Sequence, residues 1–299
     1  PAFATPTRAP GRSGPPPSPA RSPAASATSA TSASKAAGIP PTSGAATAAA
    51  STPPRSTPSP SSASGRRFPR PRSASLAYRI AYSSNAYTKW PLERSLDDIK
   101  ARGFDGVEIL ADAPHAFPGS VDPDALRSQL KRLKLGLSNL NGNTSLGLDP
   151  GGRDPDGFWP SLIDPDDGAR AKRIDYIKRV IDLARTLGGD TVCTASGRKP
   201  KSLGASAAES LLIDSLGQVL DHADRKPKIR VGIEYEPGFF IGAARPLLAL
   251  FDALDHPLLG ANLDLGHAHC VKEELAETIA AIAPRIWNIH IEDIKGRKH

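Results

Sequence analysis

From Tyr78 onward the chain alternates between short apolar runs and amphipathic stretches, and it does so seven times. The apolar runs are YRIAYS (78–83), GVEIL (106–110), LGLSNL (135–140), DTVCTAS (190–196), KIRVGIEYE (228–236), LGANLDLG (259–266) and RIWNIHIED (285–293). Helical patterns fill the gaps at 91–103, 122–134, 166–189, 206–226, 244–255 and 272–283. Their ends carry local signals. Pro91 stands in a first turn and Gly103 at a stop. Asp122 is an N-cap ahead of Pro123 and the stripe Leu126, Leu130, Leu133. Ile174, Ile177, Ile181 and Ala184 form one apolar face closed by Gly188, and Ser206 with Glu209 makes a capping box. Strict alternation of strand and helix predicts a parallel sheet covered by helices. Without a Gly-rich dinucleotide fingerprint after the first strand, seven such units favour a (β/α)8 barrel of the TIM type over a doubly wound sheet.

A barrel of that kind has eight strands, and seven are counted. The expectation is an incomplete barrel, short of its last βα unit by about 50 residues, with costly open edges at strands one and seven. The chain also begins with Pro and contains no Met, which suggests a fragment or a processed product.

Composition divides the chain in two. Residues 1–75 hold no Asp or Glu, nine Lys or Arg and sixteen of the thirty Pro. Such a Pro/Ala/Ser-rich basic tail cannot bury enough surface to offset chain entropy, so it should be disordered. A transit peptide, a basic arm for an acidic partner, and a wrongly translated stretch all fit it, the plain linker or artefact best. Residues 76–299 form the barrel domain and carry 29 basic against 31 acidic residues, so the overall charge of +7 belongs to the tail. A nucleic-acid-binding face is not supported. No apolar run approaches the ~18 residues of a membrane span. Two cysteines, Cys193 and Cys270, suggest a reducing, cytoplasmic setting. A homodimer is the default expectation.

In such barrels the chemistry lies at the C-terminal ends of the strands. Three strand ends carry residues that do not belong in a core: Glu234, Asp264 and His290. Their spacings, 30 and 26 residues, are each about one βα unit, so the three should converge at one mouth. Buried carboxylates cost several kcal/mol each unless paired or metal-bound. Two carboxylates and an imidazole suit Mn, Mg, Co or Zn. Taken singly, Glu234 could pair with an Arg, Asp264 could cap the next segment and His290 could be an ordinary core histidine. Glu236 competes with Glu234, because strand alternation puts both on one face.

GIEYEP, NLDLGHAH and NIHIED, in this order and spacing, resemble the sugar phosphate isomerase/epimerase family of xylose isomerase-like TIM barrels, across about residues 76–299. The resemblance implies one divalent cation held by Glu, Asp, His and a second Glu. Glu234, Asp264 and His290 match the first three. The second Glu lies on strand eight, beyond His299, so weak metal binding and little turnover are expected of this chain. The family pattern favours Glu234 over Glu236, which could instead orient substrate. His267 matches a substrate-contacting position. The implied reaction removes a proton beside a carbonyl of a sugar or sugar-like small molecule and passes through an ene-diolate. Glu108 and His115 are further pocket candidates; His115 could equally be an ordinary loop histidine. Asn139 and Asn141 could hydrogen-bond sugar hydroxyls but are expected to make turns, and the basic loop 196–202 could attract a phosphate but is expected to be solvated. The competing readings are an endonuclease IV-like phosphodiesterase and a non-catalytic fragment that binds a polyol.

Overall fold

The computed structural model describes residues 80–152 and 154–296. The tail read as disordered and the start of the first apolar run lie outside the described residues. The described residues hold seven strands: β1 (Ala81–Ser83), β2 (Gly106–Leu110), β3 (Gly136–Asn141), β4 (Thr191–Thr194), β5 (Arg230–Ile233), β6 (Leu259–Asp264) and β7 (Ile286–His290). The helices are α1 (Leu92–Ala101), α2 (Pro123–Leu133), α3 (Asp167–Leu187), α4 (Ala205–Ala223), α5 (Ala244–Ala253), α6 (Leu265–Cys270) and α7 (Leu275–Ile282). The strands pair in sequence order, every pair parallel.

The sheet is curled. In a flat sheet β2 and β7, five steps apart, would be separated by about 24 Å. Instead His290 Nε2 on β7 lies 2.6 Å from Glu108 Oε2 on β2. Curling gives each strand an outer and an inner face, and the side-chain period of two sorts residues between them. Val107, Ile109, Val231, Ile233, Ala261 and Leu263 face outward and are fully buried in one apolar core with Leu96, Ile99, Ile177, Ile181, Leu216 and Leu247 from the helices. The inward positions read Gly106 and Glu108, Gly232 and Glu234, then Gly260, Asn262 and Asp264. Ordinary parallel strands are apolar on both faces. Here the inner face carries glycine low in the barrel and polar groups toward one end.

Two register irregularities tune that inner face. One, between Val107 and Glu108, sets Glu108 opposite Asn139. The other, between Ala261 and Asn262, sets Asn262 opposite Asn288 and Asp264 opposite His290. The extra residue it accommodates is Trp287, whose ring lies over Gly260; a Cβ there would come within 2.1 Å of the indole Nε1.

The helix caps follow the local signals in part. Asp122 accepts from the Asp124 and Ala125 amides, Asp166 accepts from the Ala169 amide, and Gly188 closes α3 at φ +79°. The Ser206–Glu209 capping box does not form: α4 starts at Ala205 behind Gly204, with Ser206 already inside it. The sixth apolar run ends at Asp264, and the stretch expected as one helix, 272–283, is α7 alone, shortened at its start. A separate short helix, α6, begins directly after β6 because the Asp264 carboxylate accepts from the His267 amide at 3.0 Å. Among the described residues no helix is long and apolar enough to cross a membrane.

Candidate functional site

The apolar run of β5 ends at Ile233, and the next residue, Glu234, is 4% exposed. Its Oε2 accepts from Asn143 Nδ2 at 2.8 Å and from Asn262 Nδ2. Its Oε1 lies 3.4 Å from His290 Nδ1 and 3.7 Å from His267 Nδ1. Asp264, also buried, uses Oδ1 to cap α6, while its Oδ2 lies 3.7 Å from His290 Nδ1. Glu234, Asp264 and His290 therefore meet as the spacing predicted, with potential ligand atoms within 4.8 Å of one another.

Glu236, His267 and Glu292 supply two further groupings of the same kind around Glu234 and Asp264. His267 is buried on α6 and donates Nδ1–H to the Tyr235 carbonyl at 2.8 Å, which places Nε2 3.5 Å from Glu236 Oε2. The strand ends before Glu236, yet His267 draws both glutamates to one centre.

The electrostatics bear on metal binding. Among the described residues no Lys or Arg pairs with Glu108, Glu234 or Asp264; every ion pair they make is with His267 or His290. Burial works to raise the Asp264 carboxyl, but His290 and His267 beside it and the His267 amide hold it below its ordinary value. Burial works likewise on Glu108, and the His290 charge with hydrogen bonds from His290, Ser83 and Asn141 overcomes it, lowering that carboxyl. For His290, burial disfavours the charged ring, and the Glu108 charge with its contacts to Asp264 and Glu234 outweighs it and raises the imidazole well above its usual range. The raised imidazole and the lowered carboxyls are one arrangement, a His290 ring set among carboxylates that no Lys or Arg pairs among the described residues. Two carboxylates and an imidazole around that position fit a hard or borderline divalent ion.

The other sequence candidates fall elsewhere. Both oxygens of Glu108 are engaged: Oε1 by Ser83 Oγ at 2.8 Å and Asn141 Nδ2 at 3.2 Å, Oε2 by Asn139 Nδ2 at 2.7 Å and by His290. Asn139 and Asn141 lie in β3, where the register shift turns them inward to point at Glu108; Asn141 makes the expected turn as well, its Oδ1 accepting from the Asn143 amide at 3.0 Å. His115 is buried, with Nδ1 on Ser84 Oγ at 3.1 Å and Nε2 on the Trp90 and Tyr87 carbonyls at 3.2 and 3.3 Å. Those contacts fasten it to the segment after β1. In the basic loop, Arg198 pairs with Asp156 and Asp154 and lies over the Phe158 and Phe239 rings. Cys193 is buried in β4, where burial pushes its thiol up.

Three amides escaped the sequence reading: Asn143 and Asn262, which hold Glu234, and Asn288, which donates to Asn262 Oδ1 at 2.7 Å. Asn262 and Asn288 do carry a signal, since each precedes a candidate ligand by two residues and so shares its face.

Residues 96–299 match the family model described as Xylose isomerase-like TIM barrel. Among curated proteins the chain is 29% identical over 182 residues to 3-dehydroshikimate dehydratase of Pseudomonas putida, covering 60% of this chain and 25% of that one. The chain thus spans about a quarter of that relative. It is 20% identical over 215 residues to fructoselysine 3-epimerase of Shigella flexneri, covering 70% of this chain and 74% of the relative. Among solved structures, the IolI protein with a binding zinc atom superimposes with a TM-score of 0.58 at 17% identity, covering 73% of this chain and 74% of that one. With seven parallel strands in this order, polar groups at their ends and a match across most of its length, the chain belongs to the xylose isomerase-like TIM barrel family.

Proposed function

We propose that this barrel is a divalent-metal-dependent isomerase or epimerase of a small polyhydroxylated ketone. The convergence of the half-buried His290 with Glu234 and Asp264, both buried and without a Lys or Arg partner among the described residues, carries the reading. An epimerase and a dehydratase among its relatives support the class. These three residues would hold Mn, Mg, Co or Zn, and such a cation supplies Lewis acidity toward the oxygens of an α-hydroxy ketone.

The chain's own residues do the rest. Asn143 and Asn262 hold Glu234 Oε2, so Oε1 faces the centre as the base for a proton on the carbon beside the carbonyl. Loss of that proton leaves an ene-diolate. Glu234 returning that proton to the neighbouring carbon moves the carbonyl, whereas a proton delivered by solvent water to the other face of the same carbon inverts it, the proton on Glu234 then passing to solvent. His267, fixed through Nδ1, and Glu236 beside it orient a substrate hydroxyl.

Deuterium exchange in D2O tests this without requiring net turnover. NMR should show a ketose or keto-polyol losing its proton beside the carbonyl only with chain and metal together. Glu234→Gln should slow the exchange by about 10²-fold or more. The reading fails if no compound in a broad ketose panel exchanges with any of the four metals.

A further inference from the structure

We infer that Glu108 on β2 is a positioning residue: its carboxylate takes the Nε2 hydrogen of His290 and so turns the Nδ1 lone pair toward Glu234 and Asp264. The inference rests on the metal-site reading above and adds a fixed ligand atom and the group that fixes it.

A carboxylate only accepts hydrogen bonds. At 2.6 Å from Glu108 Oε2, His290 Nε2 must carry the hydrogen. In a neutral ring that leaves Nδ1 with the lone pair. Nδ1 is also the nitrogen nearest the other carboxylates, 3.4 Å from Glu234 Oε1 and 3.7 Å from Asp264 Oδ2. Glu108 cannot swing away, because Ser83 donates to it from β1 and Asn139 and Asn141 donate from β3. It is 4% exposed, so bulk water does not compete for it. Three strands that supply no ligand of the proposed centre, β1, β2 and β3, thus fix the orientation of one that does. Carboxylates behind metal-bound histidines act in this way, setting tautomer and ring angle.

The test is Co(II) binding to the chain, read by affinity and by the visible ligand-field spectrum. Glu108→Gln should weaken Co(II) about 10- to 100-fold and change the spectrum, since the histidine is no longer held at one angle. A role in packing alone would lower the thermal midpoint and leave the Co(II) spectrum unchanged, and that result overturns the inference. ¹⁵N NMR of the wild-type chain gives a second reading that does not depend on a variant folding. The His290 ring, identified by the loss of its signal in His290→Gln, should show Nε2–H with Nδ1 deprotonated once Zn(II) is added; the reverse tautomer also overturns it. Wild type that takes up neither ion sinks the metal reading and this inference together. Wild type that binds while Glu108→Gln is indistinguishable from it sinks this inference alone.

Discussion

The centre is built by dividing the two oxygens of each carboxylate between separate tasks. Glu234 gives Oε2 to two amides and keeps Oε1 for the centre; Asp264 gives Oδ1 to a helix cap and keeps Oδ2. Engaging one oxygen costs little, because an ionised carboxylate has about four acceptor sites, and it removes the rotational freedom that would blur the position of the other. Cys193 shows the opposite treatment. It sits on the same inner face, and burial first of all raises its thiol, so at neutral pH it stays protonated and inert. A thiol-specific reagent at pH 7.5 should therefore label only the half-buried Cys270 in the native chain, with Cys193 labelled only after denaturation. Rapid native labelling of both would show that β4 opens far more readily than its burial implies.

At the scale of elements, helix ends and strand registers use different physics. A cap is a contact within three residues, and Asp122→Ala should lower stability by about 1 kcal/mol in urea unfolding, with no effect on metal uptake. Register is a matter of fit between strands. Gly260→Ala would put a methyl into the Trp287 indole and the Arg285 carbonyl, which approach the added carbon to 2.1 and 2.4 Å. The cost should be about 1–3 kcal/mol, as for an overpacked core, and metal affinity should fall as well, because moving Trp287 disturbs the bulge that sets Asp264 beside His290. If stability falls while Co(II) affinity holds, the bulge and the centre are independent. The capping box that does not form makes a related point. Ser206 and Glu209 have the right spacing, but the chain enters α4 through Gly204, so the helix begins ahead of them.

For the molecule as a whole, curling is what gathers the polar ends of separate strands into one cluster. It brings Glu108 and His290, 182 residues apart, into contact, and it leaves the outer face to an apolar core shared with the helices. Among the described residues β1 and β7 are hydrogen-bonded to a neighbour strand on one side only, and Ile289 and Ile291 at that edge are 44% and 83% exposed. Hydrogen–deuterium exchange should therefore find β2 through β6 well protected and the amides of β1 and β7 exchanging first. Equal protection across all seven strands would mean that another segment or another molecule covers the open edges. Much of this organisation was legible in the residues. The span of β2, the cap at Asp122, the stop at Gly188 and the meeting of Glu234, Asp264 and His290 follow from periods of 2 and 3.6, from caps a few residues long, and from repeats of one βα unit. The first three are properties of a short stretch of chain and the last follows from a regular repeat, so sequence by itself pointed to them. The partners of those residues were decided only by the tertiary structure. Asn143 reaches Glu234 from 91 residues away, Asn139 faces Glu108 because of a register shift, and Glu108 meets His290 because the sheet closes on itself. Each depends on how distant segments pack, and packing is a property of the whole core rather than of any stretch that contributes to it.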